Sequence, residues 1–160
     1  MPMTIRTVKI RPSVSFRTEK GTSLVEAAFI MPLLLLLTFS MVDFGTLFYA
    51  YLALENGVSQ ASRYGVTGNV VAGQTRQESI KTAMRQATPT LTIGDGAFSF
   101  SHLRPGQGTW DAGVGGPNDI DKVTVNYNWT LLTPLVRPFF ANGQITLVVE
   151  SAMKNEATFN

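Results

Sequence analysis

A long apolar run near the N-terminus constrains this chain more than any other feature of its sequence. The run extends from Ala27 to Leu54, and Asp43 is its only charged side chain. A helix that crosses a bilayer needs roughly 20 apolar residues, so we place a membrane span at about residues 27–50. The basic stretch before the run predicts a cytoplasmic N-terminus and an exported C-terminal part.

The net charge of +2 is unevenly distributed along the chain. Residues 1–21 hold five Lys/Arg and one Glu, whereas residues 22–160 hold eight Lys/Arg and ten Asp/Glu. We therefore expect no nucleic-acid binding, which requires cations clustered on the folded part of a protein. Cysteine is absent, which excludes thiolate metal sites and cysteine nucleophiles.

A glycine and a glutamate mark the junction between the basic tail and the apolar run. Glu26 at the edge of a span is unfavourable unless a positive charge neutralises it. An α-amine at Thr22, exposed by cleavage after Gly21, would supply that charge, and this arrangement resembles the processing site of type IV prepilins. A secretory signal peptide is disfavoured because no small-residue cleavage motif follows the run. An unprocessed signal anchor is the alternative.

The helix is predicted to continue well beyond the span. Apolar residues recur there at spacings of three and four, which is typical of one helical face; they are Leu47, Tyr51, Leu54, Val58 and Ala61. We predict one helix from about Ser23 to Tyr64, kinked at Pro32, with a stop at residues 65–69.

The rest of the chain predicts a short helix and a small sheet. The second helix is expected at residues 74–87, where apolar residues form one face and Pro89 follows. Alternation predicts strands at residues 97–101, 123–131 and 145–149, and the Gly-rich segment 107–118 is predicted to be a loop. The fold class is therefore α+β, with the long N-terminal helix packed on a small antiparallel β-sheet.

Three polar residues could in principle form a chemical site, but the sequence favours a structural role for them. His102 is the only histidine, and Asp119 and Asp121 are read as solvated carboxylates at the start of a strand. A calcium site needs six to eight oxygen ligands, which this spacing does not supply. We predict no catalytic residue, no metal, no cofactor and no enzymatic activity.

The connector between the last two strands, residues 131–141, is unusually apolar. Loops are ordinarily polar because their backbones face water. Either this connector folds over the core, or Phe139 and Phe140 contact another pilin or the membrane surface.

Several short stretches together carry a family resemblance. The N-terminal ones are Gly21, Val25-Glu26, Pro32 with its leucine run, residues 42–45 and residues 61–68; the C-terminal ones are residues 121–125, 143–147 and 152–156. Together they resemble the TadE-like family, minor pilins or pseudopilins of the Tad (Flp) type IV pilus system.

The resemblance implies a domain organisation and a set of partners. Residues 1–21 would be a cytoplasmic leader, 22–68 the long helix with its span, and 69–160 a periplasmic α+β domain. A prepilin peptidase would cut between Gly21 and Thr22, and Glu26 would pair with the new amine to set helix register. Other Tad pilins, inner-membrane assembly platform proteins and the lipid bilayer would be the partners. The alternative is an unprocessed, single-pass, membrane-anchored periplasmic binding module.

Overall fold

The computed structural model describes residues 19–159, with side chains from Gly21 onward. The chain divides into two compact units, Met1–Leu37 and Thr38–Asn160. The predicted leader, residues 1–21, lies outside the described residues except for its last three positions.

The first helix, α1, comprises Glu19–Val66 and is 48 residues long. It begins four residues before the predicted start at Ser23, so it runs through the predicted processing junction. Pro32 lies inside it, where its ring removes one backbone hydrogen bond; the kink stays a prediction. Gly68, with a φ of 71°, follows the helix end, and its N–H donates to the carbonyl of Gly65 at 3.1 Å. This left-handed conformation suits glycine and stops the helix as predicted.

The second helix, α2, comprises Arg76–Ala87 and begins with a capping box. The Thr75 hydroxyl accepts from the N–H of Glu78 at 3.3 Å, and the Glu78 carboxylate accepts from the N–H of Thr75 at 2.7 Å. Because Thr75 has extended backbone angles, the helix starts two residues later than predicted. Ile80 and Met84 are buried, as the predicted apolar face requires.

Four antiparallel strands form one sheet in the order β2-β1-β3-β4. Their bounds are Phe98–Leu103 for β1, Asp111–Ala112 for β2, Ile120–Thr130 for β3 and Gln144–Lys154 for β4. The α+β prediction is thus confirmed. The prediction that residues 107–118 form only loop is wrong, because β2 lies within them and pairs with β1. Two residues are too few to show an alternation, so pairing with the preceding strand, β1, decides this element.

The core of the second unit lies where α1 and α2 cover the sheet. Val125 pairs with Val149 across β3 and β4, and both are buried, as the alternation in β3 predicts. The helical residues of the core are Ala50, Leu54, Val58, Ala61, Ile80 and Met84. Tyr51, predicted to face inward, is instead exposed, and its hydroxyl donates to the Glu55 carboxylate at 2.8 Å.

A glycine sets how closely the two helices approach. A Cβ atom added at Gly57 would lie 2.4 Å from the Thr88 methyl carbon and 3.4 Å from Met84 Cγ. Real Cβ atoms do not come that close, so any side chain at position 57 would separate α1 from the C-terminal end of α2.

Candidate functional site

The predicted processing junction lies in the first unit, on the exposed surface of α1. Gly21 and Thr22 are both helical and exposed. A Cβ atom built at Gly21 would meet no heavy atom within 4 Å. The fold therefore has room for a side chain at this position, and packing does not explain why glycine is present.

Glu26 is likewise exposed on α1. Its carboxylate forms no hydrogen bond or ion pair with any residue between 19 and 159. A carboxylate beside an apolar run is unfavourable in a bilayer unless it is paired. The Glu26 carboxylate therefore requires a cationic partner in a bilayer, and residues 19–159 of the same chain do not provide one.

Large apolar side chains surround α1 in the first unit, and from Leu24 to Leu37 all of them except the half-buried Leu36 are exposed. Segment Gly21–Val66 is long and apolar enough to cross a membrane, and its most apolar window is not buried within the protein. Such a surface in water would be unfavourable. The exposed residues in this unit are Leu24, Val25, Phe29, Ile30, Met31, Leu33, Leu34, Leu35 and Leu37.

Asp43, on α1 in the second unit, has a fully buried side chain. Its Oδ1 accepts from the N–H of Leu132 at 2.7 Å and of Thr133 at 3.2 Å, and its Oδ2 accepts from the Thr133 hydroxyl. Hydrogen bonds to a charged acceptor are among the stronger ones in proteins. Asp43 therefore joins α1 to a segment 89 residues further along the chain.

That segment is the connector between β3 and β4, here called the Asp43 loop and defined as residues 131–143. The N–H of Leu131 donates to the carbonyl of Gly143 at 3.1 Å and closes the loop. Leu131 and Val136 are buried, so part of the loop covers the core, as one interpretation expected. Three large apolar residues of the loop face outward: Leu132, 55% exposed, Leu135, 51%, and Phe139, 72%.

The two phenylalanines predicted as a partner contact differ in their exposure. Phe139 is exposed, whereas Phe140 is half-buried. Phe139 alone therefore presents most of its ring to a binding partner, and the contact itself stays a prediction.

A second cluster of charges joins the helix ends to the sheet. Asp119 and Asp121 are buried, so their interpretation as solvated carboxylates is wrong. Asp121 accepts from Arg76 Nη2 at 2.8 Å and from the N–H of Gly115 at 2.7 Å, and Asp119 accepts from the N–H of Gly116 at 2.7 Å. Burial lowers the pKa of Arg76, and the Asp121 carboxylate opposes that shift. Arg76 lies 45 residues from Asp121 in sequence, which is why the local pattern gave no sign of this ion pair.

His102 lies beside this cluster and is buried. Its Nδ1 is 3.2 Å from the carbonyl oxygen of Gly113, and its Nε2 is 4.0 Å from Asp111 Oδ2. Within residues 19–159, no three His, Asp or Glu side chains come together as a metal site.

The role of the junction residues stays a prediction, and sequence reasoning missed what Asp43 binds. The available signal was a single carboxylate inside an apolar run, since such a group requires hydrogen-bond donors. The sequence did not indicate which donors these are, because Leu132 and Thr133 come from a distant loop.

Similarity to known proteins is found in the N-terminal part of the chain. Neither the curated proteins nor the solved structures give a significant match. The sequence model of the TadE-like protein family matches residues 21–63, which begin at Gly21 and include Glu26, Pro32 and Asp43. The predicted resemblance is thereby confirmed over residues 21–63, which are similar to the corresponding part of TadE-like proteins of Tad pilus systems.

Proposed function

We propose that this chain is a minor pilin or pseudopilin of a Tad-type pilus, with a structural and non-enzymatic role in pilus assembly and so in adhesion or secretion. The observation that carries the proposal is the TadE-like match over residues 21–63. Two residues of that segment, Gly21 and Glu26, have no packing or pairing role among the described residues. Interactions with other molecules account for them more readily than the fold does.

Processing is the first such interaction. In this proposal a prepilin peptidase cuts between Gly21 and Thr22 after the chain has inserted with its leader in the cytoplasm. Glycine supports this role because a residue without a side chain lies in a protease cleft with no steric conflict. The helix then stays in the inner membrane, and the C-terminal domain lies in the periplasm.

The second such interaction sets the register of neighbouring pilin helices. The amine created at Thr22 would pair with Glu26 of the same chain or of a neighbouring pilin. A buried pair of this kind contributes little net stability but specifies alignment. Other Tad pilins and the assembly platform proteins of the inner membrane would then take the processed helix into the pilus.

The N-terminal mass of the membrane-embedded protein tests processing. The full chain is produced with and without a Tad-type prepilin peptidase, and a terminus at Thr22 is expected only when the peptidase is present. Gly21→Leu should block this cleavage. Gly45→Leu is the matched control, because Gly45 is also an exposed α1 glycine whose added Cβ would meet nothing within 4 Å. Equal cleavage of the two variants would refute the role of Gly21.

Glu26→Gln separates register from processing. This variant should be cut normally, since the scissile bond is unchanged, but should fail to assemble with other pilins. Normal assembly of Glu26→Gln would refute the register role. Glu150→Gln, at a position exposed on β4, controls for the loss of a negative charge alone.

An unprocessed, membrane-anchored binding module is the second candidate, and one observation favours it. Between α1 and α2 lies an open, polar groove of about 640 Å³. Amide and cationic side chains line it and offer hydrogen bonds to a polar ligand; they include Asn56, Gln60, Arg63 and Gln86. A chain that keeps its leader in the presence of the peptidase would favour this second function.

A further inference from the structure

The Asp43 loop combines an apolar outer surface with a backbone whose donors are already paired. Of the positions 131–143, all but Leu135, Ala141 and Asn142 either donate their N–H within the second unit or are proline. Segments with unpaired N–H groups are excluded from lipid because each such group is costly there. This loop can thus move from water into lipid without exposing a row of unpaired backbone N–H groups.

The side chains of the loop are also suited to lipid. Leu132, Leu135 and Phe139 are exposed, and the only charged residue among positions 131–143 is Arg137. Arg137 is exposed, and its Nε donates to the carbonyl of Leu131 at 2.8 Å. A long cationic side chain beside apolar residues can reach phosphate headgroups while its neighbours enter the acyl region.

The attachment point of the loop places it at a membrane boundary. The span predicted at about residues 27–50 has its exported end near residue 50. Asp43 lies about two helical turns before that end and holds Leu132 and Thr133 against α1. Met41, Val42 and Phe44 beside it on the helix are large, apolar and exposed. The loop and this part of α1 therefore both present exposed apolar side chains close in sequence or in space to Asp43.

We propose that the Asp43 loop is a second membrane-contacting element, which inserts Leu132, Leu135 and Phe139 into the leaflet on the exported side while Arg137 binds lipid phosphate. The occupant of this surface is thus the bilayer itself. This inference rests on the proposed membrane-spanning role of α1 and adds a lipid contact made by the folded domain.

Depth-dependent fluorescence quenching on the full chain tests the proposal. Because the chain has no cysteine, single cysteines can be labelled with an environment-sensitive dye without removing native ones. The labelled positions are Leu135→Cys and Phe139→Cys in the loop, Leu33→Cys in the predicted span, and Val70→Cys, an exposed apolar position beyond the end of α1. The proteins are reconstituted in vesicles of phosphatidylethanolamine and phosphatidylglycerol, with brominated acyl chains as lipid quencher and iodide as aqueous quencher.

The proposal predicts that labels at 135 and 139 behave like the label at 33. They should be quenched by brominated lipid several-fold more than the label at 70 and be shielded from iodide. Asp43→Ala should increase the iodide quenching of the label at position 139, because this variant lacks the hydrogen-bond acceptor that holds the loop against α1.

Three results would overturn the proposal, and each has a distinct meaning. Iodide quenching at 135 and 139 with lipid quenching at 33 would reject the loop contact and leave the anchored pilin intact. Iodide quenching at 33 as well would reject the membrane-spanning role itself. Shielding of 135 and 139 from both quenchers would assign the surface to another protein, such as a second copy of this chain.

Discussion

Replacing Asp43 by alanine should free the Asp43 loop from α1. The carboxylate accepts from three donors, namely the N–H groups of Leu132 and Thr133 and the Thr133 hydroxyl. A hydrogen bond to a charged group contributes roughly 1.5–3 kcal/mol, and a buried donor left without an acceptor is destabilising by about 1–3 kcal/mol. Because these effects overlap and water enters an opened loop, we expect Asp43→Ala to destabilise the closed loop by about 3–5 kcal/mol.

Two milder variants calibrate that value. Asp43→Asn keeps one oxygen, which can still accept from both N–H groups, so we expect a loss of about 1–2 kcal/mol. Thr133→Val removes only the hydroxyl donor and should cause a loss of similar size. Combining Asp43→Ala with Thr133→Val should cost less than the sum of the separate losses, since both remove the same bond.

Native-state hydrogen exchange is the suitable assay, because the loop can open without unfolding of the whole domain. The full chain in detergent is exchanged, and protection is followed in peptides covering residues 131–143, with peptides from β3 as the internal reference. Asp43→Ala should remove protection at Leu132 and Thr133 and leave β3 little changed. Unchanged protection at those two amides would refute the reasoning, because it would show that other interactions hold the loop closed.

Three further predictions concern the folded domain. Gly57→Ala should lower the free energy of unfolding by about 1–3 kcal/mol, because its Cβ would lie 2.4 Å from the Thr88 methyl carbon. Arg76→Ala should lower it by about 3–5 kcal/mol, since it leaves Asp121 buried without its cation. Hydrogen bonds from Thr75, the N-cap residue of α2, lower the pKa of Glu78. The stabilisation that the ionised Glu78 carboxylate contributes is therefore fully present above its unfolded-state pKa, and it is lost as the pH falls through its lower pKa in the folded protein. Stability measured against pH in the acid range should therefore fall less steeply in Glu78→Gln.

The controls for these variants are an exposed glycine, Gly45, and a half-buried arginine, Arg85. Gly45→Ala should be neutral or stabilising, because the added Cβ meets nothing within 4 Å and alanine favours helix. Arg85→Ala breaks the pair with Asp95, whose side chain is 77% exposed, and removes the Nε donor to the Ile93 carbonyl, but it leaves no buried carboxylate unpaired and should destabilise the domain less than Arg76→Ala. If Gly57→Ala matched Gly45→Ala, or Arg76→Ala matched Arg85→Ala, the packing and buried-pair arguments would each be wrong.

Local patterns in the sequence predicted most of the secondary structure. Strict alternation in β3 identified a strand with one buried face, and spacings of three and four identified the outer part of α1 and the core face of α2. These predictions succeeded because each pattern repeats over many residues. Tyr51 is the exception, because a tyrosine can turn its hydroxyl to a nearby acceptor, here Glu55, and stay at the surface.

The sequence by itself determined that the chain has an apolar helix long enough for a membrane and belongs to the α+β class, and it is the source of the prediction for the junction of Gly21 and Glu26. Each of these is a property of adjacent or periodically spaced residues. Only the tertiary structure decided what binds Asp43, what binds Asp121, and why residue 57 is glycine. In each case the partner lies at least 31 residues away in sequence, at Leu132, Arg76 or Thr88. Local patterns do not specify such partners, because packing of the whole chain brings them together.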